Sequence, residues 1–315
     1  MATKVFIDGK EGTTGLKIFE RFKNRSDIEI LTISEEKRKD PTERKKFINA
    51  SDYTFLCLPD TAAIEAVSLC ENENTKIIDA STAHRTNYNW AYGLPELSKA
   101  HREKIVNSKR VAVPGCYASG FNAIVYPLIQ GGILPPYYPV TCTAVSGYSG
   151  AGKKAIELYE GSDKTEEMNS PRMYALEQKH KHLKEMKEIS GLSYTPMFIP
   201  IVDDYFSGML VSIPIPIRTL SRRINTIQIW EYMSEYYKNE KFVQVPKFLG
   251  EGTIEKDQLY ANTLSGTNLM QIFVCGNEEQ ALLVARLDNL GKGASGAAVQ
   301  CMNIMMGIDE ATGLE

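Results

Sequence analysis

The opening third of the chain sets the tightest limit on the fold. Runs rich in apolar and β-branched residues at Lys4–Asp8, Ile28–Ile33, Tyr53–Leu58 and Lys76–Ala80 alternate with helical patterns such as Leu16–Lys23 and Ala63–Cys70. Strands that alternate with helices cannot pair as hairpins, so they form a parallel sheet with the crossover helices on its faces. Ligands of such sheets bind beyond the C-terminal ends of the strands.

The first of those ends carries Gly9-Lys10-Glu11-Gly12-Thr13-Thr14-Gly15, directly before a helix. Gly9, Gly12 and Gly15 let backbone N–H groups approach a pyrophosphate, while Thr13 and Thr14 add hydroxyls at a helix N-terminus whose dipole favours an anion. This placement predicts a Rossmann-type, doubly wound parallel sheet that binds a dinucleotide. The second strand runs into Ser34-Glu35-Glu36-Lys37-Arg38-Lys39. Ser34, Lys37 and Arg38 suit the 2′-phosphate of NADP better than the bare ribose of NAD, although a solvated charged loop has the same composition. Pro59, at the end of the third strand, is a further cofactor candidate.

Val111-Ala112-Val113-Pro114-Gly115-Cys116-Tyr117 joins a β-branched run to an apolar segment, Phe121–Gln130, that reads as a helix. Cys116 is therefore expected at a helix N-terminus, where unpaired N–H groups favour the nucleophilic thiolate. A small buried cysteine at a strand-to-helix turn fits the same local pattern. Arg85, just past the fourth strand, has the planar fork that clamps a carboxylate or phosphate; its neighbour His84 reads as structural.

Beyond Phe121 longer strands follow one another, as at Val140–Val145 and Gly208–Pro214, with Ala281–Asp288 as the last. The second domain is therefore expected to be α+β, built on a mostly antiparallel sheet. The loop Ser146–Lys154 combines small residues with a pair of lysines, so that Ser149, Gly150 and Lys153 suit close contact with an anionic substrate, although a merely flexible loop has the same composition. In His180-Lys181-His182-Leu183-Lys184-Glu185, two histidines and a carboxylate offer a base with its orienting acid, a set of metal ligands, or simply a charged helix start. The final helix is small and glycine-rich at Gly291–Gly296 and apolar on nearly every face, so it should be buried. The expected division is 1–115 plus the helix 290–315 for the cofactor, and 116–289 for catalysis and, as the resemblance described below implies, oligomerisation.

The totals agree with this plan. A chain of 315 residues exceeds one ordinary core. A net charge of -3 gives no reason to expect nucleic acid or an anionic membrane as a partner. The cysteines, Cys57, Cys70, Cys116, Cys142, Cys275 and Cys301, form no CxxC pair, which argues for a reducing cytoplasm and against a thiolate zinc site. No signal-like N-terminus or membrane-length apolar run is present.

The glycine turn, Pro114-Gly115-Cys116-Tyr117, Ser146–Gly152, His180-x-His182-x-x-Glu185 and Lys292-Gly293-Ala294-Ser295-Gly296 together resemble the short form of the N-acetyl-γ-glutamyl-phosphate reductases, relatives of aspartate-semialdehyde dehydrogenase. The resemblance runs from first strand to last helix. It implies NADPH-dependent reduction of N-acetyl-L-glutamyl 5-phosphate to the semialdehyde and phosphate, in arginine biosynthesis. Carried over, Cys116 forms a thioester and His180 is the acid/base, with His182 the second choice. Glu185 orients the histidine, and Arg85, His182 and the Ser149–Lys153 loop hold substrate. The resemblance also places Asn289 at the cofactor and implies a homotetramer, with no metal.

The chemistry agrees independently. Phosphate leaves readily, and the thioester that results accepts hydride better than a carboxylate does. Two rivals stand beside this reading. One is the same mechanism on aminoadipyl or aspartyl phosphate, because a methylene changes pocket binding by only about 1–3 kcal/mol. The other is an NADPH-binding regulatory module with an idle cysteine. A zinc hydrolase built on His180, His182 and Glu185 would leave the dinucleotide turn unexplained.

Overall fold

The computed structural model describes residues 2–255 and 257–314. Met1 and Glu315, the outer limits of the expected first domain, lie outside the described residues. The chain divides into two compact units, 1–115 with 294–315, and 116–293. The changeover falls at Gly293/Ala294, so 290–293, expected with the final helix, belong to the second unit.

The first unit runs β1 (Thr3–Asp8), α1 (Thr13–Phe22), β2 (Ile28–Leu31), α2 (Pro41–Ala50), β3 (Tyr53–Leu56), α3 (Asp60–Leu69), β4 (Lys76–Asp79), β5 (Ala91–Tyr92), α4 (Lys99–Asn107) and β6 (Arg110–Ala112). Its strands form one sheet in the order β2-β1-β3-β4-β6-β5 with every pairing parallel. Successive strand residues serve opposite faces. Leu56 joins Ile48 of α2 and Ala63 of α3, whereas Phe55 meets Phe22 of α1 with ring centroids 5.5 Å apart. Helices thus cover both faces, and the order reverses beside β1, where a doubly wound sheet opens its ligand crevice. The edge strand β5 has only two residues, too short to leave a periodic signal in the sequence.

The second unit contains α5 (Cys116–Gln130), β7 (Thr141–Gly147), α6 (Lys153–Glu160), β8 (Arg172–Met173), α7 (Leu183–Ser190), β9 (Met197–Asp203), β10 (Met209–Pro216), α8 (Thr226–Tyr237), β11 (Val243–Gln244), β12 (Met270–Gly276) and β13 (Gln280–Leu287). The strands order as β11-β12-β13-β10-β7-β9-β8. Four pairings are antiparallel, while β7 with β9 and β11 with β12 are parallel. The sheet is therefore mixed, mostly antiparallel. Phe121 and Leu128 of α5, Met186 of α7 and Met233 of α8 share one core with the inward residues Val211 and Ala285. Each of these side chains larger than alanine contributes roughly 1.5–3 kcal/mol by leaving water.

The last helix, α9 (Gly296–Met306), belongs to the first unit and is buried from Gly296 to Met305. Polar groups on its buried face find partners there: Gln300 donates to Glu96 at 2.8 Å, and Asn303 accepts from Arg25 at 2.8 Å.

Candidate active site

In the first unit the site begins where β1 ends. Gly9 turns the chain at φ 85°. A Cβ at Gly9 would lie 2.3 Å from the Cys57 carbonyl oxygen, and one at Gly15 would lie 2.5 Å from the Gly9 oxygen. The fold itself demands both glycines. Gly12, which caps α1, is different: an added Cβ meets nothing nearer than the Gly9 oxygen at 3.4 Å. The turn itself therefore does not require glycine at position 12. Thr13 opens the helix, and its Oγ1 is buried without a hydrogen-bond partner. An unsatisfied hydroxyl and open N–H groups at one helix end fit a phosphate. Thr14 follows as the second helical residue.

Beside this turn lies a cavity of about 290 Å³ whose lining includes Gly9, Leu31, Glu35, Arg38, Lys39 and Leu58. Arg38 is at the place expected of it, and Lys39 and Lys10 are further cations on the lining. Lys37 instead pairs with Glu43 at 3.4 Å, and Ser34 caps the short turn Glu35–Lys37. Pro59 precedes α3 at the N-cap position, exposed at the end of β3. Under the turn, Arg44 reaches Asp8 at 3.0 Å, Glu65 at 2.6 Å and the Ala62 carbonyl at 3.3 Å. Burial pushes the Asp8 carboxyl up while Arg44 pulls it down. The pair fastens the end of β1 to α2 and α3.

Arg85 is buried in the first unit, where its Nε donates to the Val113 carbonyl at 2.9 Å and its Nη2 to that of Ala80 at 3.1 Å. Two of its nitrogens thus tie together the segments that follow β4 and β6. His84 holds Asp79 at 2.6 Å and stacks on Trp90 at 4.1 Å.

In the second unit Cys116 is the first residue of α5 and half-buried. The helix end favours an anion at that position. A Cβ on Gly293 would fall 2.7 Å from the Cys116 Cβ, so only glycine lets that segment pass the thiol. The next residue, Tyr117, is the hub of the surrounding groups. Its hydroxyl shares a 2.6 Å hydrogen bond with Ser146 Oγ and accepts one from Tyr174 at 3.2 Å. Its ring packs against His180 at 5.8 Å, His182 at 5.9 Å and Phe198 at 5.2 Å. His180 and His182 meet edge to face at 4.7 Å.

The His182 N–H donates to His180 Nδ1 at 3.1 Å, which makes that nitrogen an acceptor and puts the proton of the neutral ring on Nε2. His182 caps α7, and Glu185 sits buried in its first turn. The group is therefore not a solvated helix start. Burial pushes the Tyr174 phenol up to about 12 and that of Tyr117 well above its ordinary value, so both remain neutral donors.

The loop Ser146–Lys154 supplies buried Ser149, whose Oγ accepts from Asn289 Nδ2 at 3.0 Å, while Asn289 Oδ1 takes the Gly208 N–H at 2.8 Å. Asn289, expected at the cofactor, thus belongs to the second unit and braces the loop; a Cβ on Gly150 would stand 3.1 Å from its amide nitrogen. Lys153 opens α6 in solvent, loosely paired with Glu157 at 3.8 Å. Among the described residues no three His, Cys, Asp or Glu side chains group as a metal site, and no helix is long and apolar enough to cross a membrane.

Residues 4–106 match the semialdehyde dehydrogenase NAD-binding domain, and residues 116–289 the semialdehyde dehydrogenase dimerisation domain. N-acetyl-gamma-glutamyl-phosphate reductase 2 of Nostoc sp. is 50% identical over 99% of both chains, and its namesake in Pseudomonas putida 44% identical over 98% of both. The chain belongs to the N-acetyl-γ-glutamyl-phosphate reductase family. Semialdehyde dehydrogenase architecture extends to far more distant proteins. Aspartate semialdehyde dehydrogenase from Francisella tularensis superposes with a TM-score of 0.72 at 15% identity, over 96% of this chain and 100% of that one. Aspartate semialdehyde dehydrogenase II from Vibrio cholerae gives 0.70 at 15%, over 97% and 98%. At such identity the likeness shows the fold alone.

Proposed function

We propose that this member of the family reduces N-acetyl-L-glutamyl 5-phosphate to N-acetyl-L-glutamate 5-semialdehyde with release of phosphate, using NADPH, as a step of arginine biosynthesis. The observation that carries the reading is a thiol at the first position of α5 whose neighbour in sequence, Tyr117, packs on His180 and His182. The names of the full-length relatives support the substrate.

Cys116 Sγ, as thiolate, attacks the acyl carbon. The C–O bond to phosphate breaks, phosphate leaves, and a thioester remains on Cys116. Backbone N–H groups opening α5 stabilise the oxyanion, an effect of about 3–4 kcal/mol per donor in comparable sites. A nicotinamide held at the Gly9–Gly15 turn would supply the hydride for reduction of the acyl carbon on Cys116. His180, with Nε2–H as its donor, serves as the acid/base; His182 is the other candidate. As the C–S bond breaks, the aldehyde departs and Cys116 returns to its thiol or thiolate. Glu185 orients the histidines. Ser149, Gly150, Lys153, His182 and Arg85 hold the substrate's anionic groups.

The Gly9–Gly15 turn fits the pyrophosphate, with Thr13 Oγ1 the waiting hydroxyl. Arg38 and Lys39 at the cavity support NADP over NAD. Ser34, Lys37 and Pro59 flank that end of the site, and Asn289 is the remaining cofactor candidate, its amide engaged with Ser149 and Gly208. In this reading 1–115 with the final helix is the NADP-binding domain, and 116–289 is the catalytic and oligomerisation domain of a homotetramer. Partly exposed Val145, Ile201 and Leu210 on the mixed sheet suit such an assembly. The cytoplasm is the compartment in which its six thiols stay reduced.

Absorbance at 340 nm tests the proposal when the protein is given NADP, phosphate and, in turn, the semialdehydes of N-acetylglutamate, aminoadipate and aspartate. NADPH formation should depend on phosphate and be fastest with the first. Equal rates with all three would remove the substrate assignment, and cofactor binding without turnover would favour the regulatory module.

A further inference from the structure

The segment between β8 and α7 carries Tyr174 and His180 to Tyr117, the neighbour of the thiol in sequence, yet it has little regular structure of its own. β8 pairs antiparallel with β9 through Arg172 and Met173, and the Tyr174 N–H still reaches the Pro200 carbonyl at 3.2 Å. The ladder then stops. Ala175 takes a left-handed conformation at φ 52°, as does Gln178 at φ 55°, and the Gln178 N–H closes the turn on the Ala175 carbonyl at 2.9 Å. Left-handed backbone at residues other than glycine is strained, and it persists only where the surroundings hold it.

The Gln178 side chain does the holding. Its Nε2 donates to the Phe198 carbonyl at 2.8 Å, and its Oε1 accepts the Phe198 N–H at 3.0 Å. These are the two bonds that a strand residue beside β9 would have made, supplied here by an amide side chain. Leu176, shed from the ladder, is left exposed. Phe198 is also the point of contact for the site: its ring meets His180 at 5.1 Å and Tyr117 at 5.2 Å. One residue thus fixes the backbone of a site-forming aromatic and the turn that delivers Tyr174 and His180.

We propose that Gln178 is a positioning residue for the reaction at Cys116: its paired hydrogen bonds to Phe198 hold the strained turn that sets Tyr174 and His180 against Tyr117. The inference rests on the reductase reading above, and it assigns Gln178 no contact with substrate or cofactor.

The test compares wild type, Gln178→Ala and Gln178→Glu in phosphate-dependent oxidation of N-acetylglutamate semialdehyde, with melting temperature and NADPH affinity measured on the same samples. Gln178→Glu keeps the length and the acceptor for the Phe198 N–H but loses the donor. Gln178→Ala should lower kcat by about 10- to 100-fold with both KM values and NADPH affinity within about twofold, as expected when groups aimed at the transition state are misplaced. Gln178→Glu should be impaired in kcat as well, and it is read in place of the alanine variant if that one does not fold. Unchanged kcat in a folded variant would overturn the proposal, as would a loss of NADPH affinity matching the loss of rate. A wild type that turns over none of the semialdehydes would instead overturn the reductase reading.

Discussion

The two units hold their functional groups by different means. In the first, the candidate cofactor turn from Gly9 to Gly15 is a matter of backbone, and Gly9 and Gly15 leave no room for a side chain. In the second, side chains from α5, the end of β7, the β8–α7 segment and β9 converge on Tyr117. A site made of backbone is broken by adding atoms; a site made of side chains is broken by removing them. The first failure shows in cofactor binding or folding, the second in turnover with binding intact.

That contrast is tested most severely at Cys116. Cys116→Ser should lower kcat by about 10⁴-fold or more while NADPH affinity stays within about twofold, read by steady-state kinetics and fluorescence titration. His180→Asn comes next, with a loss in kcat of about 10²- to 10⁴-fold and unchanged cofactor affinity. If His182→Asn proves the more damaging, the roles of the two imidazoles are exchanged.

The backbone site gives the mirror image. Gly12→Ala should leave the melting temperature in place and weaken NADPH binding by about 5- to 150-fold, because the added methyl meets ligand rather than protein. Gly15→Ala should lower both, since its methyl meets the Gly9 carbonyl. Equal melting temperatures for the two variants would break the distinction between glycines kept for the fold and glycine kept for the ligand. The smallest effect is expected at Arg38, which is exposed at the rim of its cavity. Arg38→Ala should narrow the preference for NADP over NAD by about tenfold, the lower range for a screened charge-assisted hydrogen bond. An unchanged ratio would pass the role to Lys39.

The same contrast governs how much could be read from the chain. Gly9–Gly15 is legible because strand, turn and helix start are contiguous. Cys116 is legible because Pro114-Gly115 ends one element and an apolar run begins the next. Tyr174 and Gln178 left no such trace: β8 has two residues, the strained turn follows at once, and its support comes from Phe198, twenty residues on. The parallel pairing of β7 with β9 was equally hidden, since nothing in a strand's own alternation names its neighbour. Asn289 was named only through the resemblance, and its brace to Ser149 and Gly208 spans 140 and 81 positions.

The most direct test of the thioester chemistry omits phosphate. Mixed rapidly with N-acetylglutamate semialdehyde and NADP, the protein should form about one NADPH per chain in a burst and then stop, because the acyl group waits on Cys116 for phosphate. Adding phosphate should restart NADPH formation. Sustained NADPH formation without phosphate, or no burst from protein that turns over once phosphate is added, would contradict a thioester on Cys116.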